Sequence, residues 1–278
     1  MNYVIGVDVG ATNLKAGLVY NKRVIKKISI KTESKKGFKI SLKNLINAIG
    51  LVFNNHVKSI GIGFPAAVDV KKGFIYSVNN MPGWKNVNLK KILEKKFKVP
   101  VYINNDANCF VLAEYIHDFK RYKNMVGVTL GTGIGVGAII NCELYSGNSC
   151  SAGEINLILI NGKRLEEFTS ARFIERKSKV SAEQCFILAS KGSIFHKKIY
   201  KEFGKNLGFA LAILVNTYDP QLIVIGGDIS KAFKLFKKSM LGVLKKNVYS
   251  QTFDKLKVVK SCLYDAGILG AAELTANK

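Results

Sequence analysis

The stretch Gly6-Val7-Asp8-Val9-Gly10-Ala11-Thr12 returns in altered form as Gly127-Val128-Thr129-Leu130-Gly131-Thr132-Gly133, an offset of 121 positions. Each copy is predicted to be an apolar strand that enters a turn of small residues, and a second apolar strand follows each turn. A self-match at this long period indicates duplicated domains rather than a solenoid of short repeats. Turns with exposed N–H groups and threonine hydroxyls suit a polyphosphate held from two sides.

The length and composition of the chain agree with two α/β domains. The 278 residues are 48% apolar, which is enough for two substantial cores. The pattern predicts a small N-terminal α/β domain over 1–118 and a larger one over 119–265. A C-terminal helix after Gly270, within 266–278, is predicted to complete the first domain. No apolar run spans a bilayer and no signal-peptide pattern opens the chain, so we expect a cytoplasmic protein without a membrane partner.

Apolar periodicity predicts the individual strands and helices of both halves. In the first half it predicts strands over 3–9, 15–20, 23–30, 59–64 and 99–103, and helices over 42–53, 89–97 and 107–115. In the second half it predicts strands over 126–130, 135–140 and 222–225, and a long helix over 204–217. Residues 175–200 carry no motif that we can interpret.

The net charge of +24 has two interpretations. Clustered Lys and Arg can neutralise the phosphates of a nucleic acid. The alternative is a solvated basic surface that also attracts anionic substrates. The lysines occur as scattered pairs without interleaved aromatic residues, which favours the second interpretation and predicts no nucleic-acid partner. The five cysteines are widely spread without a C-x-x-C pair, as expected of free thiols in an intracellular protein.

Six blocks of the chain follow one another in the order known from one protein family. They are D-x-G-x-T-x-x-K at 8–15, N-D-A-N at 105–108 followed by Glu114, the Gly-rich loop at 130–135, A-G-E-I at 152–155, the segment 215–227 and the segment 265–272. In this order they resemble the motifs of ROK-family sugar kinases of the actin-like ATPase superfamily. The resemblance covers most of the chain except about 175–200. It implies two ribonuclease-H-like α/β domains with ATP and sugar in an interdomain cleft, and a homodimer.

The two Gly-rich turns and Asp8 are the parts of the chain predicted to bind phosphate. Glycine lets backbone N–H groups approach phosphate oxygens, and threonine hydroxyls add donors. Asp8, at a strand end, can hold Mg²⁺ directly or through water. With the family resemblance, the candidate ATP- and phosphate-binding residues are Asp8, Gly10, Thr12, Lys15, Gly131, Thr132, Gly133, Gly226 and Gly227. ATP and Mg²⁺ are therefore the expected cofactors; the alternative for the glycines is a pair of ordinary tight hairpins.

Asp106 is the candidate catalytic base. It follows a predicted strand and precedes a predicted helix, so its carboxylate can lie at a helix N-terminus, where anions are favoured. There it can accept the proton of a sugar hydroxyl that attacks the γ-phosphate. The alternative is that Asp106 only caps the helix over 107–115. By resemblance, Asn105, Glu154 and Glu166 bind sugar hydroxyls together with Asp106; for Glu166 the alternative is an exposed glutamate at a helix start.

The segment after Glu154 departs from the family pattern. The family reads G-E-x-G-H followed by a cysteine cluster that binds zinc with that histidine. Here Leu157 stands at the histidine position, and no cysteine lies between Cys150 and Cys185. Structural zinc normally has four thiolate or imidazole ligands, so we expect no zinc site. Loss of the imidazole predicts a shifted or broadened sugar specificity.

Three functions remain open at this stage. The resemblance implies an ATP-dependent hexokinase or glucokinase that phosphorylates the 6-hydroxyl of a hexose, and the stretch 79–84, similar to N-x-P-G-W of glucokinase-like members, favours glucose. An N-acetylhexosamine kinase, for N-acetylmannosamine or N-acetylglucosamine, is the alternative within the enzyme class. A sugar-sensing regulator without kinase activity is the alternative of another class. Family repressors carry an N-terminal helix-turn-helix, for which we expect no room before Asp8, and retention of Asp8 and Asp106 argues against a degenerate site.

Overall fold

The computed structural model describes residues 3–78 and 81–276. Asn79 and Asn80, which open the stretch similar to N-x-P-G-W, lie outside the described residues, as do Asn277 and Lys278 at the end of the predicted C-terminal segment. Within the described ranges, no helix combines the length and the apolar character needed to cross a membrane.

The described residues divide into two compact units. The first comprises the described residues of Met1–Phe119, Leu144–Ala152 and Leu263–Lys278, and the second comprises Lys120–Glu143 and Gly153–Cys262. The C-terminal segment thus groups with the first unit. The short segment Leu144–Ala152 also belongs to the first unit, although the sequence pattern places it inside the second domain.

The first unit is built on a five-stranded mixed sheet. Its elements are β1 (Tyr3–Val9), β2 (Asn13–Tyr20), β3 (Arg23–Lys31), α1 (Phe38–Val52), β4 (Val57–Phe64), β5 (Ala67–Asp69), β6 (Phe74–Ser77), β7 (Lys85–Asn88), α2 (Leu89–Phe97), β8 (Val101–Asn105), α3 (Asp106–Glu114) and, near the C-terminus, α10 (Ala266–Glu273). The large sheet has the order β3-β2-β1-β4-β8, with β1, β2 and β3 antiparallel and β1, β4 and β8 parallel. Strands β5, β6 and β7 form a separate small sheet.

Helix α10 packs unusually close to its neighbours in the first unit. A β-carbon at Gly6 or Gly61 of the sheet would overlap a backbone carbonyl oxygen of α10, and one at Gly270 of α10 would overlap the carbonyl oxygen of Cys109 in α3. Glycine at these three positions lets backbone meet backbone. The packing fixes α3 and α10 on the sheet, and α3 begins directly where β8 ends.

The second unit repeats this plan. Its elements are β9 (Met125–Leu130), β10 (Ile134–Ile140), β11 (Glu143–Tyr145, of which Leu144 and Tyr145 group with the first unit), β12 (Leu159–Ile160), β13 (Lys163–Arg164), α4 (Glu166–Thr169), α5 (Ala171–Ser178), α6 (Ala182–Ser190), α7 (Ile194–Tyr218), β14 (Leu222–Gly226), α8 (Phe233–Lys246), α9 (Ser250–Lys255) and β15 (Lys257–Lys260). The sheet order is β11-β10-β9-β14-β15, with β9 and β10 antiparallel and β9, β14 and β15 parallel. The order matches that of the first sheet, so the predicted ribonuclease-H-like fold of two related α/β domains is confirmed.

The predicted starts of the helices over 42–53 and 204–217 are wrong, the first by four residues because α1 begins at Phe38. The helix predicted over 204–217 begins a full ten residues earlier, at Ile194. A β-carbon at Gly204 would lie 3.0 Å from Cβ of Phe236 in α8, so this glycine marks a close helix contact rather than a helix start. Likewise α10 begins at Ala266 and contains Gly270 in its interior. In both helices, glycine serves packing and not termination.

Candidate active-site residues in the two units

The first predicted phosphate turn, between β1 and β2, is held through its carbonyl groups. Thr32 Oγ1 donates to the carbonyl oxygen of Gly10 at 2.6 Å, and Ser34 Oγ donates to that of Ala11 at 2.7 Å. The backbone N–H of Thr32 donates to the carbonyl oxygen of Thr12 at 2.9 Å. Thr32 and Ser34 are buried, whereas Ala11 and Thr12 are exposed. The turn therefore keeps one shape while its outer edge faces solvent.

Asp8 lies at the end of β1, beside the start of α10. Its register partner on β2 is Lys15. A β-carbon at Gly267, in the first turn of α10, would lie 2.8 Å from Oδ2 of Asp8, so the carboxylate rests against the N-terminus of this helix. Burial raises the pKa of Asp8, and the charge of Lys15 acts in the opposite direction. The structure thus gives Asp8 a poorly hydrated carboxylate in a place that favours negative charge.

Asp106 is the first residue of α3, and its neighbour Asn105 caps that helix. Asn105 Oδ1 accepts the backbone N–H groups of Ala107 at 2.9 Å and Asn108 at 3.3 Å. Asp106 Oδ1 also accepts the N–H of Ala107, at 2.9 Å. Because Asn105 fills the N-cap position, the helix does not depend on Asp106 for its cap.

The buried thiol of Cys109 is close to both candidate carboxylates of the first unit. Burial raises the pKa of Cys109 well above its ordinary value, and the charges of Asp106 and then Asp8 raise it further. The strand register pairs Asp8 with Gly63 of β4 and Gly63 with Asn104 of β8, so Asp8 and Asp106 lie at the same end of the first sheet. This is the end at which the predicted phosphate turn begins.

A buried polar network fixes the backbone that precedes Asp106. Asn104 Oδ1 accepts the backbone N–H of Asn105 at 2.8 Å, the side-chain amide of Asn108 at 2.9 Å and the thiol of Cys150 at 3.1 Å. Asn108 Nδ2 also approaches Ser146 Oγ at 3.3 Å. The network ties the segment that contains Ser146 and Cys150 to the start of α3. No local sequence signal indicates it, because its members are about forty positions apart.

The second predicted phosphate turn, between β9 and β10, is held by the start of α5. The N–H of Gly131 donates to the carbonyl oxygen of Gly133 at 3.0 Å, and the carbonyl oxygen of Gly131 accepts the N–H of Ala171 at 2.9 Å. Thr132, at the tip, is exposed. The turn therefore presents its tip to solvent and is anchored by the N-terminal residue of a helix.

Gly226 and Gly227 lie beside the strand that leads into this turn. Gly226 ends β14, and Gly227 has a φ of 81°. A β-carbon at Gly227 would lie 2.6 Å from the backbone nitrogen of Leu130, the last residue of β9. Both the left-handed conformation and the close approach require glycine. The predicted adenosine block and the predicted phosphate turn are thus neighbours in the second unit.

Glu166 lies directly over the second turn and forms an ion pair. A β-carbon at Gly133 would overlap the Glu166 carboxylate and would lie 3.2 Å from its Cδ. Nη1 of Arg172, in the first turn of α5, lies 3.2 Å from Oε1 of Glu166. Arg172 carries no assigned role in the sequence prediction. Its pairing with Glu166 depends on the bend between α4 and α5, which no sequence pattern indicates.

Glu154 lies close enough to Glu166 for the two carboxylates to interact. Glu154 is exposed as a residue, but the protein atoms around its carboxyl group reduce its hydration and raise its pKa. A hydrogen bond with the side chain of Asn156 lowers the pKa of Glu154, and the charge of Glu166 raises it. Both predicted sugar-binding glutamates therefore lie in the second unit.

A two-strand hairpin occupies the segment that departs from the family pattern. Strands β12 and β13 are joined by Asn161 and Gly162, with φ of 49° and 74°, values typical of the tight turns that Asn-Gly favours. Leu157, which precedes the hairpin, is 46% exposed. Among residues 3–78 and 81–276, no group of three or more His, Cys, Asp or Glu side chains is placed to hold a metal ion.

Comparisons with known proteins agree with the motifs. The model of a family described as the ROK family matches residues 4–278. The chain is 32% identical over 269 residues to a glucokinase of Halalkalibacterium halodurans, covering 83% of this chain and 81% of that protein. It is 28% identical over 232 residues to a xylose repressor of Bacillus subtilis, covering 77% of this chain and 60% of the repressor. A solved ROK hexokinase from Thermus thermophilus is 26% identical, with a TM-score of 0.80 and coverage of 98% of this chain and 97% of that chain.

Proposed function

The chain belongs to the ROK family, and from this premise we propose that it is a kinase that transfers the γ-phosphoryl group of ATP to the 6-hydroxyl of a hexose. The observation that carries the proposal is the carboxylate of Asp106 at the start of α3, in a helix that Asn105 caps. The similarity to a glucokinase and to a ROK hexokinase supports the same reaction class.

In the proposed reaction, Asp106 is the general base. The hydroxyl oxygen of the sugar forms a bond to the γ-phosphorus while the bond from that phosphorus to the bridging oxygen breaks, which releases ADP. The hydroxyl proton passes to the Asp106 carboxylate. Asn105 Nδ2 reaches the carbonyl oxygen of Ala66 only at 3.5 Å, so this amide has capacity to donate to a sugar oxygen.

Asp8 is the residue that we propose to hold Mg²⁺, directly or through water. Its carboxylate is the hard oxygen ligand that Mg²⁺ prefers. Burial raises its pKa while Lys15 opposes this, so a further cation would favour the ionised form. When bound, the metal neutralises charge on the phosphates. The phosphates themselves are assigned to the two turns and their flanking residues, Gly10, Thr12, Lys15, Gly131, Thr132, Gly133, Gly226 and Gly227.

Glu154 and Glu166 are proposed to accept hydrogen bonds from sugar hydroxyls. A sugar that leaves such an acceptor unpaired loses about 1–3 kcal/mol of binding free energy, so two carboxylates discriminate strongly among sugars. Leu157 presents an apolar side chain where the family pattern has an imidazole. Its exposed surface favours a second candidate substrate class, the N-acetylhexosamines, because an acetyl methyl group gains from apolar contact.

A coupled assay of ADP release tests the proposal. Wild-type protein with Mg·ATP is tested against glucose, mannose, fructose, N-acetylglucosamine and N-acetylmannosamine. We expect Asp106→Asn to lower kcat by about 10²- to 10⁴-fold, the usual contribution of a general base. Asp254→Asn, an exposed aspartate of α9, is the matched control and should keep full activity.

The outcomes separate the three candidate functions. Full activity of Asp106→Asn would refute the assignment of the base. Sugar binding by calorimetry without turnover of any sugar would refute the kinase and favour a sugar-sensing regulator. Turnover confined to N-acetylated sugars would select the second substrate class.

A further inference from the structure

The ion pair between Glu166 and Arg172 is a feature of the second unit that the proposed reaction does not explain. Arg172 is the second residue of α5, and its Nη1 lies 3.2 Å from Oε1 of Glu166. The Glu166 carboxylate in turn fills the space in which a β-carbon at Gly133 would lie. A continuous contact thus runs from the second phosphate turn through Glu166 to the guanidinium group.

A lone carboxylate over Gly133 would oppose the binding of a polyphosphate at this turn. Like charges a few ångströms apart repel strongly where hydration is reduced. Glu154 adds a second negative group, since it interacts with Glu166. A cation beside Glu166 offsets this repulsion and favours phosphate binding at residues 131–133. Arg172 is the cation that the structure pairs with Glu166.

The N-terminus of α5 strengthens this arrangement. Its first N–H, of Ala171, already donates to the carbonyl oxygen of Gly131 at 2.9 Å, so the helix starts at the turn itself. Among the described residues, no side-chain hydrogen bond caps α5. Ser170, at the N-cap position, is fully buried, and within the described part of the chain its hydroxyl has no hydrogen-bond partner. An uncapped helix N-terminus favours an anion, and Arg172 extends from the same helical turn.

We propose that Arg172 contacts a phosphate of the nucleotide donor bound at residues 131–133 and shields it from Glu166. The inference rests on the proposed function in taking a nucleoside triphosphate as the donor. A guanidinium group has five N–H donors in a planar fork, so it can bond a carboxylate and a phosphate at once. The side chain of Arg172 is 50% exposed, which leaves its outer face accessible to the ligand.

Arg176 supplies a matched control one helical turn further along α5. Its Nη1 lies 3.7 Å from Oε2 of Glu167, and its side chain is 45% exposed. Arg176→Gln therefore removes the same charge from the same helix, at similar exposure. Its ion-pair partner, Glu167, is not the carboxylate over Gly133.

The test measures binding of Mg·AMPPNP by calorimetry without sugar, for wild type, Arg172→Gln, Arg172→Lys and Arg176→Gln. Circular dichroism and thermal unfolding confirm that each variant is folded. We expect Arg172→Gln to weaken binding by about 10- to 100-fold, the worth of a charge-assisted hydrogen bond. Arg172→Lys should restore part of the loss, and Arg176→Gln should bind within about threefold of wild type, because a screened surface charge contributes little. In the kinase assay, Arg172→Gln should raise KM for ATP and leave KM for sugar unchanged.

If Arg172→Gln binds Mg·AMPPNP as tightly as the wild type does, the inference is overturned. A rise of KM for sugar alone in this variant would mean that Arg172 only orients Glu166. Equal losses in Arg172→Gln and Arg176→Gln would also overturn it, since the effect would be one of overall charge. A wild type that binds Mg·AMPPNP but phosphorylates no sugar refutes the kinase proposal alone, and the binding data still decide the role of Arg172. Absence of nucleotide binding in wild type would overturn both.

Discussion

Replacement of Gly270 by alanine tests whether the packing of α10 against α3 holds the candidate base in position. A β-carbon at Gly270 would overlap the carbonyl oxygen of Cys109 and lie 3.1 Å from its Cα. Because these atoms belong to the backbone of α3, no change of rotamer relieves the overlap. The two helices must separate, and α3 carries Asp106 at its first position.

The expected magnitude follows from two opposing effects. Alanine in a helix interior is favoured over glycine by about 0.5–1 kcal/mol, whereas overpacking of a close contact costs about 1–3 kcal/mol. We expect Gly270→Ala to lower the free energy of unfolding of the first unit by about 1–2 kcal/mol. Gly50→Ala is the matched control: Gly50 lies in α1, and among the described residues a β-carbon there would meet no atom within 4 Å apart from its chain neighbours and its own helix backbone, so this variant should gain about 0.5–1 kcal/mol.

The fluorescence of Trp84 can be used to measure this difference in stability between the two variants. The sequence contains a single tryptophan, and it is buried in the first unit, 2% exposed. Urea unfolding followed at this residue should show a lower midpoint for Gly270→Ala and an equal or higher one for Gly50→Ala. Since a displacement of about 1 Å can cost about 100-fold in rate, kcat should fall in Gly270→Ala and stay unchanged in Gly50→Ala. If the two variants are equally stable and equally active, close packing does not hold Asp106.

The remaining predictions concern single side chains of the candidate site. Asn105→Ala removes the cap of α3 and should lower the free energy of unfolding by about 1 kcal/mol, measured by urea unfolding; an unchanged midpoint would contradict the cap. The raised pKa of Glu154 means that the folded state keeps its proton to higher pH than the unfolded state, so this group makes stability fall as pH rises through its folded pKa. Acidification should raise KM for sugar as Glu154 becomes protonated. Because its pKa is raised, this rise should occur at a higher pH than for an ordinary glutamate, whose pKa is about 4.3. Glu154→Gln should abolish this pH dependence of KM. Leu157→His should lower kcat/KM for N-acetylated sugars relative to glucose, and an unchanged ratio would exclude contact with the acetyl group. Gly131→Ala should leave the fold intact, because among the described residues no atom beyond its two chain neighbours lies within 4 Å of a β-carbon there. The variant should still weaken binding of Mg·AMPPNP; normal binding would mean that phosphate does not approach residue 131.

The elements that the sequence predicts correctly are those whose signal is local. The hairpin of β1 and β2 and that of β9 and β10 combine apolar strands with a turn of small residues, and these patterns occupy 18 and 16 consecutive positions, 3–20 and 125–140. For α3, the sequence predicts that the helix has an N-cap but not which residue supplies it. Asn105 and Asp106 are both good N-cap residues, and only the structure shows that Asn105 takes the N-cap position.

What the sequence could not predict depends on contacts between distant segments. Thr32 and Ser34 hold the carbonyl groups of the first turn from about twenty positions away, and nothing in their own neighbourhood marks them. The pairing of Arg172 with Glu166 requires a change of direction between α4 and α5, which is set by tertiary packing. Gly204 and Gly270 also depend on distant contacts, because each lies inside a helix where it closely approaches another helix.

The two copies of the duplicated turn differ in which elements carry their charged side chains. At the offset of 121 positions, Asp8 and Lys15 of the first copy correspond to Thr129 and Val136 of the second, so the second hairpin carries an ionisable side chain at neither position. Thr12 of the first copy corresponds to Gly133 of the second. A side chain does not fit at position 133, because a β-carbon there would overlap the Glu166 carboxylate. The second turn therefore has its carboxylate and its cation supplied from α4 and α5, by Glu166 and Arg172, whereas the first carries both within the hairpin.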